Sequence, residues 1–179
     1  SSAASDVYKR QKWNETFEEI SSPRHGKLMS DPSLLVTRPA VSAPERIVTD
    51  ANGVQWEPVS VLAPCPNLQS ANLIWSRIGG DYVAKITAEL ERRGLTGIST
   101  KWRVGRIDTP QQWQERDMGV GSPFGLAHLF RQTGPFRPRN FSPKMPKNLT
   151  LAGSTTVPGV GVPTVMISGR LAAQRFETP

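Results

Sequence analysis

With 179 residues and a hydrophobic fraction of 37%, the chain is long enough to bury a core of its own. Its 22 Lys and Arg against 15 Asp and Glu give a net charge of +7. The basic residues are scattered, not gathered into a block or a helical stripe, which argues against nucleic acid and leaves a solvated surface or attraction to anionic lipid. The single cysteine, Cys65, excludes an internal disulfide and a thiolate metal cluster. His25 and His128 are too few and too far apart for a metal site or a Ser-His system, and no apolar run reaches the length of a membrane span.

In chain order, residues 1–11 are small and polar without a period, and read as a non-native or disordered leader outside the fold. A short apolar run predicts a strand over 33–38, followed by a Pro- and Ala-rich connector to residue 46 and a second strand over 56–63. Cys65, between Pro64 and Pro66, reads as a packed thiol at the end of that strand. Tyr82, Ile86 and Leu90 recur at intervals of four and predict a helix over 81–93, with Gly94 placed to end it. Alternation of apolar and polar residues predicts a strand over 98–108. Thr109-Pro110 then opens a helix, with Gln112 three residues after Thr109 completing a capping box.

Phe124, Leu126, Leu129, Phe130 and Phe136 form a second apolar stretch, interrupted by Gly134-Pro135. Packing in a core and lining an apolar ligand site are both open to it; His128 and Gln132 are the polar side chains within it. The last run is the most informative. Residues 149–152 are apolar and predict a strand, Gly153, Gly159 and Gly161 supply backbone freedom, and Pro163 suits the first turn of a buried helix starting near Val162. Val165, Met166, Leu171, Ala172 and Phe176 follow at helical spacing. Strand, glycine turn and helix is an ordinary packing unit. It is also a way for backbone to approach a ligand, since a helix start with unpaired N–H groups favours a phosphate or the negative pyrimidine edge of a reduced flavin.

The segment Ala152-Gly-Ser-Thr-Thr-Val-Pro-Gly-Val-Gly-Val-Pro163 resembles the C-terminal flavin-binding motif of bacterial and fungal-type phytoene desaturases. Three further stretches look like the same family in the same order: Val61-Leu-Ala-Pro-Cys-Pro-Asn-Leu68, Gly121-Ser-Pro-Phe-Gly-Leu126 and Gln132-Thr-Gly-Pro-Phe-Arg-Pro-Arg-Asn140. The resemblance implies an α/β protein, with an α+β substrate region over 12–143 and a returning segment over 144–179 that supplies the last strand and helix of a Rossmann-like FAD domain. It implies that Gly153, Ser154, Thr155, Gly161, Val162, Pro163 and Thr164 face FAD, and that Phe124, Leu126, His128, Phe130, Gln132 and Phe136 line a tunnel for a long apolar polyene. Ser154 stands where wider flavoprotein relatives have Asp and His128 where relatives have Glu, so both would make different contacts.

A dinucleotide fingerprint, Gly-x-Gly-x-x-Gly after a first strand, is not found; Gly119-Val-Gly-Ser-Pro-Phe-Gly125 has the wrong spacing and contains Pro123. The chain is therefore expected to be the C-terminal part of a longer enzyme, with the N-terminal half of the FAD site elsewhere. On this reading the strand at 149–152 lacks its partners and is exposed. The implied reaction is desaturation of phytoene or a near relative by hydride transfer to FAD, with quinone or oxygen as final acceptor, in a bacterial cytoplasmic enzyme held peripherally at a membrane. No residue is singled out as catalytic acid or base. A carotenoid isomerase or ketolase of the same flavoprotein group is the alternative enzyme, and a non-enzymatic basic domain binding membrane or nucleic acid the alternative of another class.

Overall fold

In the computed structural model, residues 6–7, 13–127 and 129–177 are described, and the chain divides into two units at Gln112 and Trp113. In the first unit the order is β1 (Asp6–Val7), α1 (Trp13–Ser21), β2 (Leu35–Thr37), β3 (Val48–Thr49), β4 (Gln55–Trp56), β5 (Ser60–Leu62), α2 (Trp75–Arg92), α3 (Ile98–Lys101) and the start of α4 (Pro110–Gln114). The second unit is mostly turns and ends in α5 (Val162–Glu177).

β2 is the centre of a three-stranded antiparallel sheet, pairing Val36 with Val61 of β5 on one side and with Asp6 of β1 on the other. Two residues of the stretch read as a leader thus lie in this sheet. The strand expected over 56–63 is two strands. β4 belongs to a hairpin with β3, Val48 opposite Trp56, and Pro58, which has no N–H to donate to a ladder, separates it from β5. Between them Glu57 forms a two-pronged ion pair with Arg38, at 3.0 and 2.8 Å.

α2 begins at Trp75, earlier than its periodicity alone suggests, because Trp75 and Gly79 continue the stripe of Tyr82, Ile86 and Leu90 and are buried with it. That stripe packs on Leu34 and Val36 to form the core, with Trp75 and Tyr82 edge to face at 6.4 Å. The helix ends as its glycine predicts. Gly94 has a φ of +109°, its N–H reaches the Glu91 carbonyl, and the Leu95 N–H reaches back to that of Leu90.

The strand expected over 98–108 is not formed: Ile98 and Trp102, four apart, turn onto the core around the short helix α3, and residues 103–108 have no ladder partner among the described residues. The capping box at α4 is formed, the Thr109 N–H donating to Gln112 Oε1 at 2.7 Å and the Gln112 N–H to Thr109 Oγ1 at 3.4 Å.

In the second unit, residues 149–152 are not a strand. The Leu151 N–H donates to the Asn140 carbonyl and that of Leu149 to Pro146, and Leu149 and Leu151 are exposed. α5 starts at Val162, as expected, but is not the buried helix its apolar content suggests. Ser168 and Ala172 are its buried residues, while Val162, Met166, Ile167, Leu171 and Phe176 are exposed. The fold is therefore mixed helix and small antiparallel sheet, and the parallel sheet of a Rossmann-like domain is not seen among the described residues.

Candidate functional site

The glycine-rich loop 153–161 is fixed from behind by hydrogen bonds. Ser168 of α5 has no exposed surface; its Oγ accepts the Gly153 N–H at 3.1 Å and an Asn140 Nδ2 N–H at 2.8 Å, and lies 2.7 Å from Thr156 Oγ1. Asn140 Nδ2 also donates to the Leu151 carbonyl at 2.8 Å, and the Asn140 carbonyl accepts from Thr150 Oγ1 at 2.8 Å. Arg137, 3% exposed, donates from Nε to the Thr156 carbonyl at 3.2 Å, from Nη1 to that of Gln132 at 3.1 Å, and from Nη2 to that of Ser154. These bonds satisfy backbone groups in a stretch that has no regular secondary structure to satisfy them.

The other side of the loop is open. Pro123, Phe124, Ser154, Val160, Gly161, Val162, Val165 and Met166 line a hollow of about 340 Å³. Gly125 stands against the loop: at a φ of +71°, a Cβ there would come within 2.9 Å of Thr155 Oγ1, an approach that favours glycine. Gly161, at +114°, turns the chain into α5. The first bond of the helix runs from the Val165 N–H to the Gly161 carbonyl at 2.9 Å, and Thr164 Oγ1 donates to the same carbonyl at 2.8 Å. The amides of Val162 and Thr164 precede that bond, whereas Pro163 has no N–H.

Of the residues expected to face FAD, Ser154, Gly161 and Val162 line this hollow, Thr155 stands behind it against Gly125, and Gly153, Pro163 and Thr164 shape the turns that frame it. Of the tunnel residues that the structure describes, only Phe124 lines it. Phe130 and Phe136 pair with each other, ring centres 5.4 Å apart, and are 81% and 56% exposed. Leu126 is half-buried elsewhere, Gln132 contributes its backbone carbonyl to Arg137, and His128 lies outside the described residues. The structure adds Arg137, Asn140, Thr156 and Ser168. The first two stand within Gln132-Thr-Gly-Pro-Phe-Arg-Pro-Arg-Asn140 and Thr156 within the motif over residues 152–163, so a sequence signal was present for those stretches; Ser168 carried none.

The hollow suits part of a flavin. Its walls are apolar except for Ser154, as a flat ring system requires, and the start of α5 places N–H donors and the positive end of the helix dipole at one end.

No family model matches the chain. Over 93% of its length it is 44% identical to a phytoene dehydrogenase from Streptomyces griseus, covering 32% of that protein. It is 35% identical to a zeta-carotene-forming phytoene desaturase from Myxococcus xanthus, over 91% of this chain and 30% of the relative. It is 36% identical to a neurosporene-forming phytoene desaturase from Rhodobacter capsulatus, over 86% of this chain and 30% of the relative. The relatives are oxidoreductases of carotenoid biosynthesis. The chain is thus similar to bacterial phytoene dehydrogenases and desaturases, and spans about a third of the length of the curated relatives it matches.

Proposed function

We propose that this chain is the C-terminal part of an FAD-dependent carotenoid desaturase acting on phytoene or a near relative, with residues 12–143 serving the substrate and residues 144–179 completing the FAD domain. The observation that carries the reading is the convergence, on one apolar hollow, of the glycine turn, the start of α5 and Phe124. FAD, when bound, supplies the hydride acceptor: an allylic carbon loses hydride, its neighbour loses a proton, and a double bond results, with electrons passed on to quinone or oxygen. The chain's own residues orient and shield. The Val162 and Thr164 amides at the start of α5 favour negative charge at the pyrimidine edge, and Ser154 offers a neutral contact. Phe124, Val165 and Met166 give a hydrocarbon, which has no hydrogen-bonding handle, an apolar surface to lie against. Among the described residues no helix is long and apolar enough to cross a membrane, and the +7 charge supports peripheral contact with anionic lipid.

The test is to join the chain to the upstream part of its reading frame, purify the product and record its visible spectrum. Flavin bands near roughly 370 and 450 nm, as for any oxidised flavin, followed by conversion of phytoene in liposomes, are the expected result. A colourless product overturns the reading.

A further inference from the structure

Arg137 is buried as a charge and has no carboxylate partner among the described residues: its hydrogen bonds go to the carbonyls of Gln132, Ser154 and Thr156. The buried arginine of the first unit is held differently, since Arg93 is paired with Glu89 and with Asp31, at 2.6 Å from the latter. A guanidinium does not deprotonate in a protein, and carbonyl dipoles compensate its charge only in part, so Arg137 keeps a net positive charge in a site of low dielectric. Three of its five N–H groups are used, and no acceptor for the other two is found among the described residues.

The charge lies inside the loop that forms the hollow. Arg137 is bonded to Ser154, which lines the hollow, and to Thr156, and a Cβ placed on buried Gly159 would stand 3.6 Å from Arg137 Nε. A clamp for the loop needs donors, which a neutral amide also supplies. A full charge kept here without a counterion is costly unless an anion forms nearby. Arg137 itself is 3% exposed, and it is this burial that limits the screening of its charge by water.

We propose that Arg137 is a positioning residue that raises the reduction potential of the flavin held by this loop, its fixed positive charge favouring the anionic reduced form over the neutral oxidised one. The inference rests on the proposed function above. It is tested by measuring the flavin midpoint potential in the joined full-length protein and in its Arg137→Gln and Arg137→Lys variants. Arg137→Gln loses at least tenfold in affinity for reduced relative to oxidised flavin, a fall of about 30 mV for a two-electron couple, while Arg137→Lys at pH 7 stays within threefold of wild type. Both variants lower the melting temperature, because both lose the fork that holds Ser154 and Thr156. A wild-type protein without flavin overturns the proposed function and this inference together. A flavin-loaded wild type whose potential is matched by Arg137→Gln overturns this inference alone and leaves Arg137 a structural clamp. If Arg137→Gln does not fold, Arg137→Lys decides. Its potential parts from that of wild type as pH rises and the buried lysine loses its proton, whereas the arginine does not; potentials that run parallel with pH overturn the inference.

Discussion

The two units are held together by different forces. In the first, the buried side chains are Leu34, Val36, Trp75, Tyr82, Ile86 and Leu90, packed as one cluster between a small sheet and α2. In the second, they are chiefly Arg137, Asn140, Thr156 and Ser168, and the large apolar side chains point outward: Phe124, Leu129, Phe130, Phe136, Val162 and Met166. Apolar burial specifies the first unit and a hydrogen-bonded latch the second. A protein has little reason to hide its polar groups and show its apolar ones unless the apolar face has something to bind. The second unit is accordingly the one that carries the candidate site.

The comparison makes the effect of a substitution depend on the unit. Leu90 has no exposed surface and anchors both the α2 stripe and the C-terminal turn, so Leu90→Ala costs about 2–5 kcal/mol. Val162→Ala, at a position 75% exposed, changes stability by less than about 0.5 kcal/mol. Denaturant unfolding of the two variants measures both, and comparable losses would end the distinction between a packed unit and a latched one.

The latch is tested next. Ser168→Ala removes the acceptor of the half-buried Gly153 N–H and one of the acceptors of Asn140 Nδ2, which keeps the Leu151 carbonyl; leaving a largely buried donor unpaired costs about 1–3 kcal/mol. Hydrogen exchange at the Gly153 amide is the direct reading. It quickens by more than tenfold, while amides in α2 keep their protection. Gly125→Ala follows, at about 1–2 kcal/mol, since it combines a φ of +71° with a Cβ 2.9 Å from Thr155 Oγ1. Because the strain falls on the loop that lines the hollow, flavin retention in the joined protein drops more than the melting temperature does. Equal retention would show that Thr155 yields freely.

The parts legible in the sequence were those whose cause is local. The Thr109 capping box, the Gly94 helix end and the start of α5 each follow from a few adjacent residues, and each is formed. The beginning of α2 was hidden by Gly79-Gly80, which lower helix propensity although Gly79 lies in the buried stripe. The strands expected at 98–108 and 149–152 failed because alternation and apolar runs state what a strand looks like, not whether a partner exists. For the site, the motif showed where the glycine turn bends, and the hollow lies there. The latch was not legible. Asn140, Thr156 and Ser168 lie 12 to 28 residues apart, and nothing in the type of a lone Asn, Thr or Ser announces such a meeting.

The smallest effect concerns Cys65, which sharpens the contrast from the apolar side. It packs against the core of the first unit, and burial pushes its thiol up to about 11 from 9.0. Burial also raises Tyr82, to about 12, with the nearby Cys65 charge adding to it. A raised value means that the folded state holds the proton more tightly, so this contribution to stability is complete below about pH 9 and is lost as pH rises from there through 11. The thiolate is the reactive form, so at pH 7 a shift of two units makes alkylation of the native protein roughly a hundredfold slower than that of the urea-unfolded chain. Iodoacetamide labelling in the two states gives the ratio. A native rate equal to the unfolded one would place Cys65 in water and remove it from the apolar packing of the first unit.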